Sequence, residues 1–393
     1  LKNARGAQPF DLVADRDGRY LYVSDGLAPA VYVINIDPLS PDFHTHVKTI
    51  TFPTSGGQSL APLGLRGIAL SADEKKLYVT APGRNLISVR GADFGYLLVI
   101  DTDLSKEDAP FFDPDGANTI IPVGPEPYGI TATDDANVML FTDRSDDRRG
   151  LGVLRVIPAD PAVAGSQELL SVRYVDLTRF GLNPRFIEAR PRQVFGVTNA
   201  QGVAFLPADA LKDLIRTVDY PFGLSHPSYA FITSFNKFVQ GDPKHDPQEG
   251  PALVYNLFYK DAEGRLIYYP EAAGGNVGII RNPLGGFGDP LTQPRIVAAT
   301  RPIMNSFPDN LAISPLATPD LRLVGYYLAA AYQARNMLFA FDLSQIVTTV
   351  EGEATSTGRI EPYEQVSIGF VPDQLSRLLR GPLSTIPIDE INP

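Results

Sequence analysis

Residues 75–83 read "KKLYVTAPG", and residues 18–26 read "GRYLYVSDG". Both write Leu-Tyr-Val, then a small hydroxyl residue, then a turn, 56 residues apart from Leu21 to Leu77. The triplet alternates. Leu21 and Val23 face one way and Tyr22 the other, and aromatic and β-branched residues suit a pleated strand. The charged turn ahead of each copy fits a hairpin.

A wider window shows a longer repeat. An opening apolar strand follows a Gly/Pro-containing loop at Gln8–Asp15, Gly64–Ser71, Pro125–Thr133, Asn199–Pro207 and Phe307–Ser314. A second strand follows at "YLYVSD", "KLYVTA", Val138–Asp143, Tyr229–Phe235 and Leu321–Ala329. A third reads Ala30–Asp37, Tyr96–Asp103, Gly152–Asp160, Ala252–Phe258 and Asn336–Ser344. A fourth reads His46–Phe52, Asn118–Gly124, Ser171–Leu177, Asn276–Ile280 and Glu364–Gly369. Units of four strands predict an all-β chain, a β-propeller of four-stranded antiparallel blades with five blades readable. The predicted propeller covers residues 1–369, and residues 370–393 read as a linker or strap carrying Leu375, Leu378 and Leu379.

Composition removes several functions. The net charge of -11 repels a phosphate backbone and argues against nucleic acid. There is no cysteine, so thiol catalysis, thiolate metal sites and disulfides are out. No apolar run reaches the ~18 residues of a membrane span. The chain starts with Leu1, which reads as a segment of a longer protein with other domains.

The blocks "LYVS" and "LYVT" after a charged turn, "VYVINID" and "LLVIDTD", and "IIPVGPEPYGITAT" resemble the YVTN-type β-propeller repeat of bacterial and archaeal surface proteins. The final Asn of that motif is replaced by Asp25 and Ala81. The resemblance is good over residues 6–134 and fair to 180. It implies a ring of five to seven blades in an extracellular, periplasmic or cell-surface prokaryotic protein.

Insertions fall in the fourth and fifth units, about 207–220, 236–251 and 257–295. In the first, Leu211, Leu214, Ile215 and Val218 have helical spacing and predict a short amphipathic helix in blade four. Residues 257–269 read as a hairpin tip with Tyr259, Tyr268 and Tyr269 as loop-face contacts. Aromatics of this kind suit recognition or pack the insertion onto its blade.

The innermost strands place polar residues just before their apolar cores. These are Gln8 and Asp11 beside Phe10, then Arg66, Glu126 with Tyr128, Asn199 with Gln201, and Asp309 with Asn310. Strand alternation gathers them at one rim as candidate ligand contacts. Glu126, Asp309 and Asn310 are candidate Ca²⁺ ligands, since hard oxygen donors suit that ion. Without an ion, Arg66 should pair with a rim acid, and an exposed Glu126 should matter little to stability. "ADRDGRY" reads as a turn rather than a Ca²⁺ loop, and His44 with His46 as surface residues. Two functions follow. The first is a non-enzymatic module binding a protein, peptide or glycan. The alternative is a divalent-metal-dependent hydrolase, lactonase- or esterase-like, with its site at the channel.

Overall fold

The computed structural model describes residues 7–52, 54–55, 58–59, 61–83, 94–105, 120–144, 150–157, 162, 169–175, 200–208, 210, 228–234, 258–260, 266–268, 274–286, 293–300, 303–304, 307–313, 327–333, 337–342, 359–360 and 364–367. The chain divides into two compact units, residues 1–175 and 176–393.

Unit one holds three antiparallel four-stranded meanders. Sheet one runs Pro9–Ala14, Tyr20–Asp25, Ala30–Asn35, His46–Thr51. Sheet two runs Ile68–Leu70, Lys76–Ala81, Gly95–Asp101, Ile120–Val123, and sheet three Pro127–Ala132, Val138–Asp143, Leu151–Ile157, Leu169–Val175. Each sheet has two apolar faces and buries one against its neighbour. Tyr22, Val31, Val33 and Ile50 of sheet one meet Ile68, Leu70, Val79, Leu98 and Ile100 of sheet two. The other face of sheet two, with Ala69, Tyr78, Leu97 and Val99, meets Ile130, Met139, Phe141 and Leu154 of sheet three. The opening strands also touch from one sheet to the next. Sheets stacked in this way, inner strand beside inner strand, have the local geometry of propeller blades. Val79 and Phe141 lie at these contacts as their sequence positions require, each fully buried.

Sheet one differs on its leading face. Leu12 is 60% exposed, whereas Ile68 at the same place in sheet two is 3% exposed. Among the described residues Val23 there packs with Ala30 and Tyr32 of its own sheet.

Unit two holds two more sheets of this type among the described residues. Sheet four runs Ala200–Leu206, Tyr229–Ser234, Gly274–Arg281, Arg295–Thr300, with Arg359–Ile360 added in parallel at its edge. Sheet five runs Phe307–Ile313, Tyr327–Gln333, Met337–Asp342, Glu364–Ser367. The two pack through their opening strands.

Three expectations shift. The segment around Asn276–Ile280 is the third strand of sheet four, not the fourth, and Arg295–Thr300 takes the outer place. Ala252–Phe258 is therefore not that third strand. Its described end, Phe258, opens a separate hairpin, Phe258–Lys260 with Leu266–Tyr268, so the hairpin tip read from residues 257–269 is present. The second strand of sheet five is Tyr327–Gln333, displaced toward the C-terminus from Leu321–Ala329. The helix expected at 207–220 lies outside the described residues beyond its start, where the Ala210 N–H donates to the Pro207 carbonyl at 3.2 Å. Residues 236–251 and 370–393 also lie outside them.

Candidate functional site

The hydroxyl residue that follows each "LYV" block explains why the chain repeats it. The opening strand of four sheets breaks register at one place, between Pro9 and Leu12, Pro127 and Ile130, Ala200 and Val203, and Pro308 and Leu311. Such a bulge frees backbone groups from the ladder, and they need other partners. The Asp11 N–H donates to Ser24 Oγ at 3.1 Å, the Gly129 N–H to Thr142 Oγ1 at 2.8 Å, and the Gly202 N–H to Thr233 Oγ1 at 2.7 Å. Ser24 and Thr233, with Thr80 of sheet two, also reach the next sheet. Ser24 Oγ donates to the Arg66 carbonyl at 2.6 Å, Thr80 Oγ1 to the Tyr128 carbonyl at 2.6 Å, and Thr233 Oγ1 to the Asp309 carbonyl at 3.3 Å. In Ser24 and Thr233 one small polar atom thus ties a bulge to its own sheet and to its neighbour. At the fifth copy the sequence has Ala331.

Asp25 and Asp143 follow two of these hydroxyls and are fully buried. Asp25 Oδ1 accepts the N–H groups of Gln8, Leu27 and Ala28, and Oδ2 accepts the Tyr32 hydroxyl at 2.8 Å. Burial raises the Asp25 pKa, yet these hydrogen bonds outweigh it and hold the carboxyl below its ordinary value. Burial, then the bond to Asp25, pushes the Tyr32 hydroxyl up to about 12. Asp143 Oδ1 accepts the Glu126 N–H at 3.3 Å, the counterpart of the Gln8 bond.

These bonds fix a cluster at the rim of unit one. The Phe10 and Tyr128 rings meet edge to face, with centroids 5.3 Å apart. The Arg66 guanidinium lies 5.0 Å from the Phe10 centroid, and the Arg144 guanidinium 4.4 Å from that of Tyr128. Both distances are within cation–π range. Arg144 pairs with Glu126, whose Oε1 accepts Nε at 2.9 Å and also Nη2. Glu126 is 2% exposed and the Arg144 side chain 14%, so the carboxylate is buried and the pair largely so. Arg66 does not pair with an acid as expected. Its Nη1 lies 3.0, 3.1 and 2.8 Å from the carbonyls of Gly26, Leu63 and Leu65. Burial lowers the Arg66 pKa and Arg144 adds to this, while Tyr128 and Glu126 oppose it.

Of the other expected contacts, Gln8 is exposed, and the half-buried Asp11 carboxylate accepts the Leu12 and Ile68 N–H groups at 2.9 and 3.2 Å. Gln201, Asp309 and Asn310 belong to unit two. Gln201 is buried, and Asn310 Oδ1 accepts the Leu311 N–H at 2.8 Å, as Asp11 does for Leu12. Asn199 and Tyr269 lie outside the described residues. Tyr259 and Tyr268 occupy the two strands of the separate hairpin. Sequence reading missed Arg144, which sits in a charged stretch that looks solvated. The repeat held a clue: the Arg144 N–H donates to the Glu126 carbonyl as the Gly26 N–H does to Gln8, so both positions lie at the rim.

Among the described residues no group of three or more His, Cys, Asp or Glu side chains could hold a metal. At Glu126 the Arg144 guanidinium occupies Oε1. The "ADRDGRY" segment is a turn, with Asp15 Oδ1 accepting the Arg19 and Tyr20 N–H groups and Gly18 at φ 67°. His44 and His46 are exposed.

No family model matches the chain, and no curated protein matches it either. Solved structures do. The Swd1 β-propeller domain of Myceliophteria thermophila is 10% identical, with 86% of this chain and 84% of that one covered and a TM-score of 0.38. The periplasmic gluconolactonase of Pseudomonas aeruginosa is 13% identical, covering 92% and 71%, with a TM-score of 0.39. The hydrazine synthase of Kuenenia stuttgartiensis is 11% identical, covering 91% and 83%, also with a TM-score of 0.39.

Proposed function

We propose that this chain is a non-enzymatic binding module, a β-propeller of the YVTN type in a larger secreted or cell-surface prokaryotic protein. Its partner is a protein, peptide or glycan held at the inner-strand rim of unit one.

One observation carries the reading. In unit one, Asp11, Asp25 and Glu126 each bond to the frame, while the exposed groups beside them are apolar or cationic. Asp11 accepts two strand N–H groups, Asp25 holds three N–H groups and a phenol, and Glu126 is buried against Arg144. Acid–base catalysis asks for a carboxylate or imidazole within reach of substrate and with a tuned pKa. Here Phe10, 41% exposed, and Leu27, 58% exposed, stand beside the half-buried Arg66. An aromatic anchor next to an arginine is the composition of an interaction hot spot.

The test has two arms. The full chain is screened on peptide and glycan arrays, then against a panel of lactones and esters with Ca²⁺ and with EDTA. Saturable binding that a Phe10→Ala variant weakens supports the module. Turnover of any lactone or ester that EDTA abolishes overturns it in favour of the hydrolase.

A further inference from the structure

We infer that Arg66 is a carboxylate receptor: the Nε–Nη2 edge of its guanidinium takes the two oxygens of a carboxylate whose apolar substituent lies on Phe10 and Leu27. The inference rests on the rim of unit one being a binding face and names the chemistry it accepts.

A guanidinium presents five N–H donors in a fixed plane. In Arg66 every hydrogen bond leaves from Nη1, toward the carbonyls of Gly26, Leu63 and Leu65. Those bonds, with the Phe10 ring beneath, fix the plane. Nε and Nη2 make no hydrogen bond and no ion pair among the described residues, and neither is among the buried polar atoms that lack a partner. They therefore keep contact with solvent on a half-buried side chain. Nε–H and the facing Nη2–H are parallel and match the spacing of carboxylate oxygens, the strong fork arrangement of arginine and acid.

The surroundings choose the ligand further. Arg144 carries its own counter-ion in Glu126, and among the described residues Arg66 has none. An incoming anion would supply that missing charge in a partly dehydrated place, where the interaction is stronger than in bulk water. The Phe10 ring lies under the guanidinium and packs on Gly26, and the exposed Leu27 follows Gly26 in sequence, so an apolar substituent finds an open surface beside Arg66. The ligand is thus a carboxylate with a neighbouring apolar group. A free small acid and the C-terminus of a peptide ending in an apolar residue share this chemistry.

The test is a titration of the full ¹⁵N-labelled chain, following the Arg66 Nε–H resonance. The probes are 3-phenylpropanoate, its neutral amide 3-phenylpropanamide, and N-acetyl-Gly-Gly-Phe with a free carboxylate. The expected result is a saturating downfield shift with both acids and none with the amide. Stronger binding of the tripeptide points to a peptide terminus, and equal binding to a small acid. Arg66→Lys keeps the charge but loses the fork, and should weaken the acids about tenfold. An unmoved Arg66 Nε–H at saturating acid, or equal shifts with acid and amide, overturns the inference. The wild-type titration decides even if the variant does not fold. If array ligands bind while Arg66 stays unmoved, the carboxylate inference fails and the module stands. If lactones are turned over while Arg66 binds acids, the module fails and the receptor stands.

Discussion

Replacing Thr80 by Val probes the link between sheets two and three. Thr80 is fully buried, and its Oγ1 donates to the Tyr128 carbonyl at 2.6 Å across the sheet boundary. Val keeps the branched shape and removes the donor. A net hydrogen bond contributes about 0.5–1.5 kcal/mol, and stranding a buried partner adds about 1–3 kcal/mol. The Tyr128 carbonyl is not stranded, because it also accepts the Gly67 N–H at 2.8 Å. The expected loss is therefore about 1.5 kcal/mol, near the upper end of the first range. For a unit of this size that lowers the melting temperature by about 3–6 °C. Urea unfolding with matched m-values measures the loss, and hydrogen exchange at Gly67 should speed up with it. Thr131→Val is the control. Its Oγ1 has only a 3.5 Å contact to its neighbour's carbonyl, so the change should be within about 0.5 kcal/mol. If the two variants prove equally stable, the hydroxyl does not tie the sheets and the account of the repeat is wrong.

Four more outcomes are expected. Glu126→Gln breaks a buried pair and should cost about 3–5 kcal/mol, with most of this recovered when Arg144→Met is added; a loss below about 1 kcal/mol would return Glu126 to the exposed role expected from sequence. Asp25 has a depressed pKa when folded, so its stabilisation is complete above the ordinary aspartate value of 3.8 and is lost as pH falls through the lower folded value. The urea midpoint of wild type should therefore drop below that pH more steeply than that of Asp25→Asn, and parallel curves would refute the assignment. Gly67→Ala would put a Cβ 2.5 Å from the Tyr128 carbonyl oxygen, and thermal melting should show a larger loss than Thr80→Val. Ile68→Ala should cost about 2–4 kcal/mol in urea unfolding and Leu12→Ala under about 0.5, with similar values showing that something covers the leading face of sheet one.

Much of the strand plan was legible because the "LYV" blocks of sheets one and two, and the apolar run of "VMLFTD" in sheet three, write it plainly. Sheet four misled for a physical reason. "ALVYNLF" is a continuous apolar run, whereas the true third strand, "GGNVGIIR", carries three glycines and reads as a turn. In sheet five, "YLAAAYQ" is rich in Ala, a weak strand former, and the apolar run before it drew the boundary too early. The rim positions of Arg66, Glu126 and Tyr128 followed from register. Their partners did not, because Arg144 directly follows the strand that pairs with the opening one, and a period-2 pattern says nothing about which acid a charged loop will meet.

The claim that the rim of unit one recognises a partner is tested most directly by mapping where a partner binds. The tightest peptide or glycan from the arrays is titrated into the labelled full chain, and side-chain and methyl resonances are followed. The account predicts saturating shifts at Phe10, Leu27 and Arg66, with the Glu126 carboxylate unmoved. Shifts confined to the hairpin of Tyr259 and Tyr268, or a Glu126 carboxylate that moves with added Ca²⁺, would contradict it.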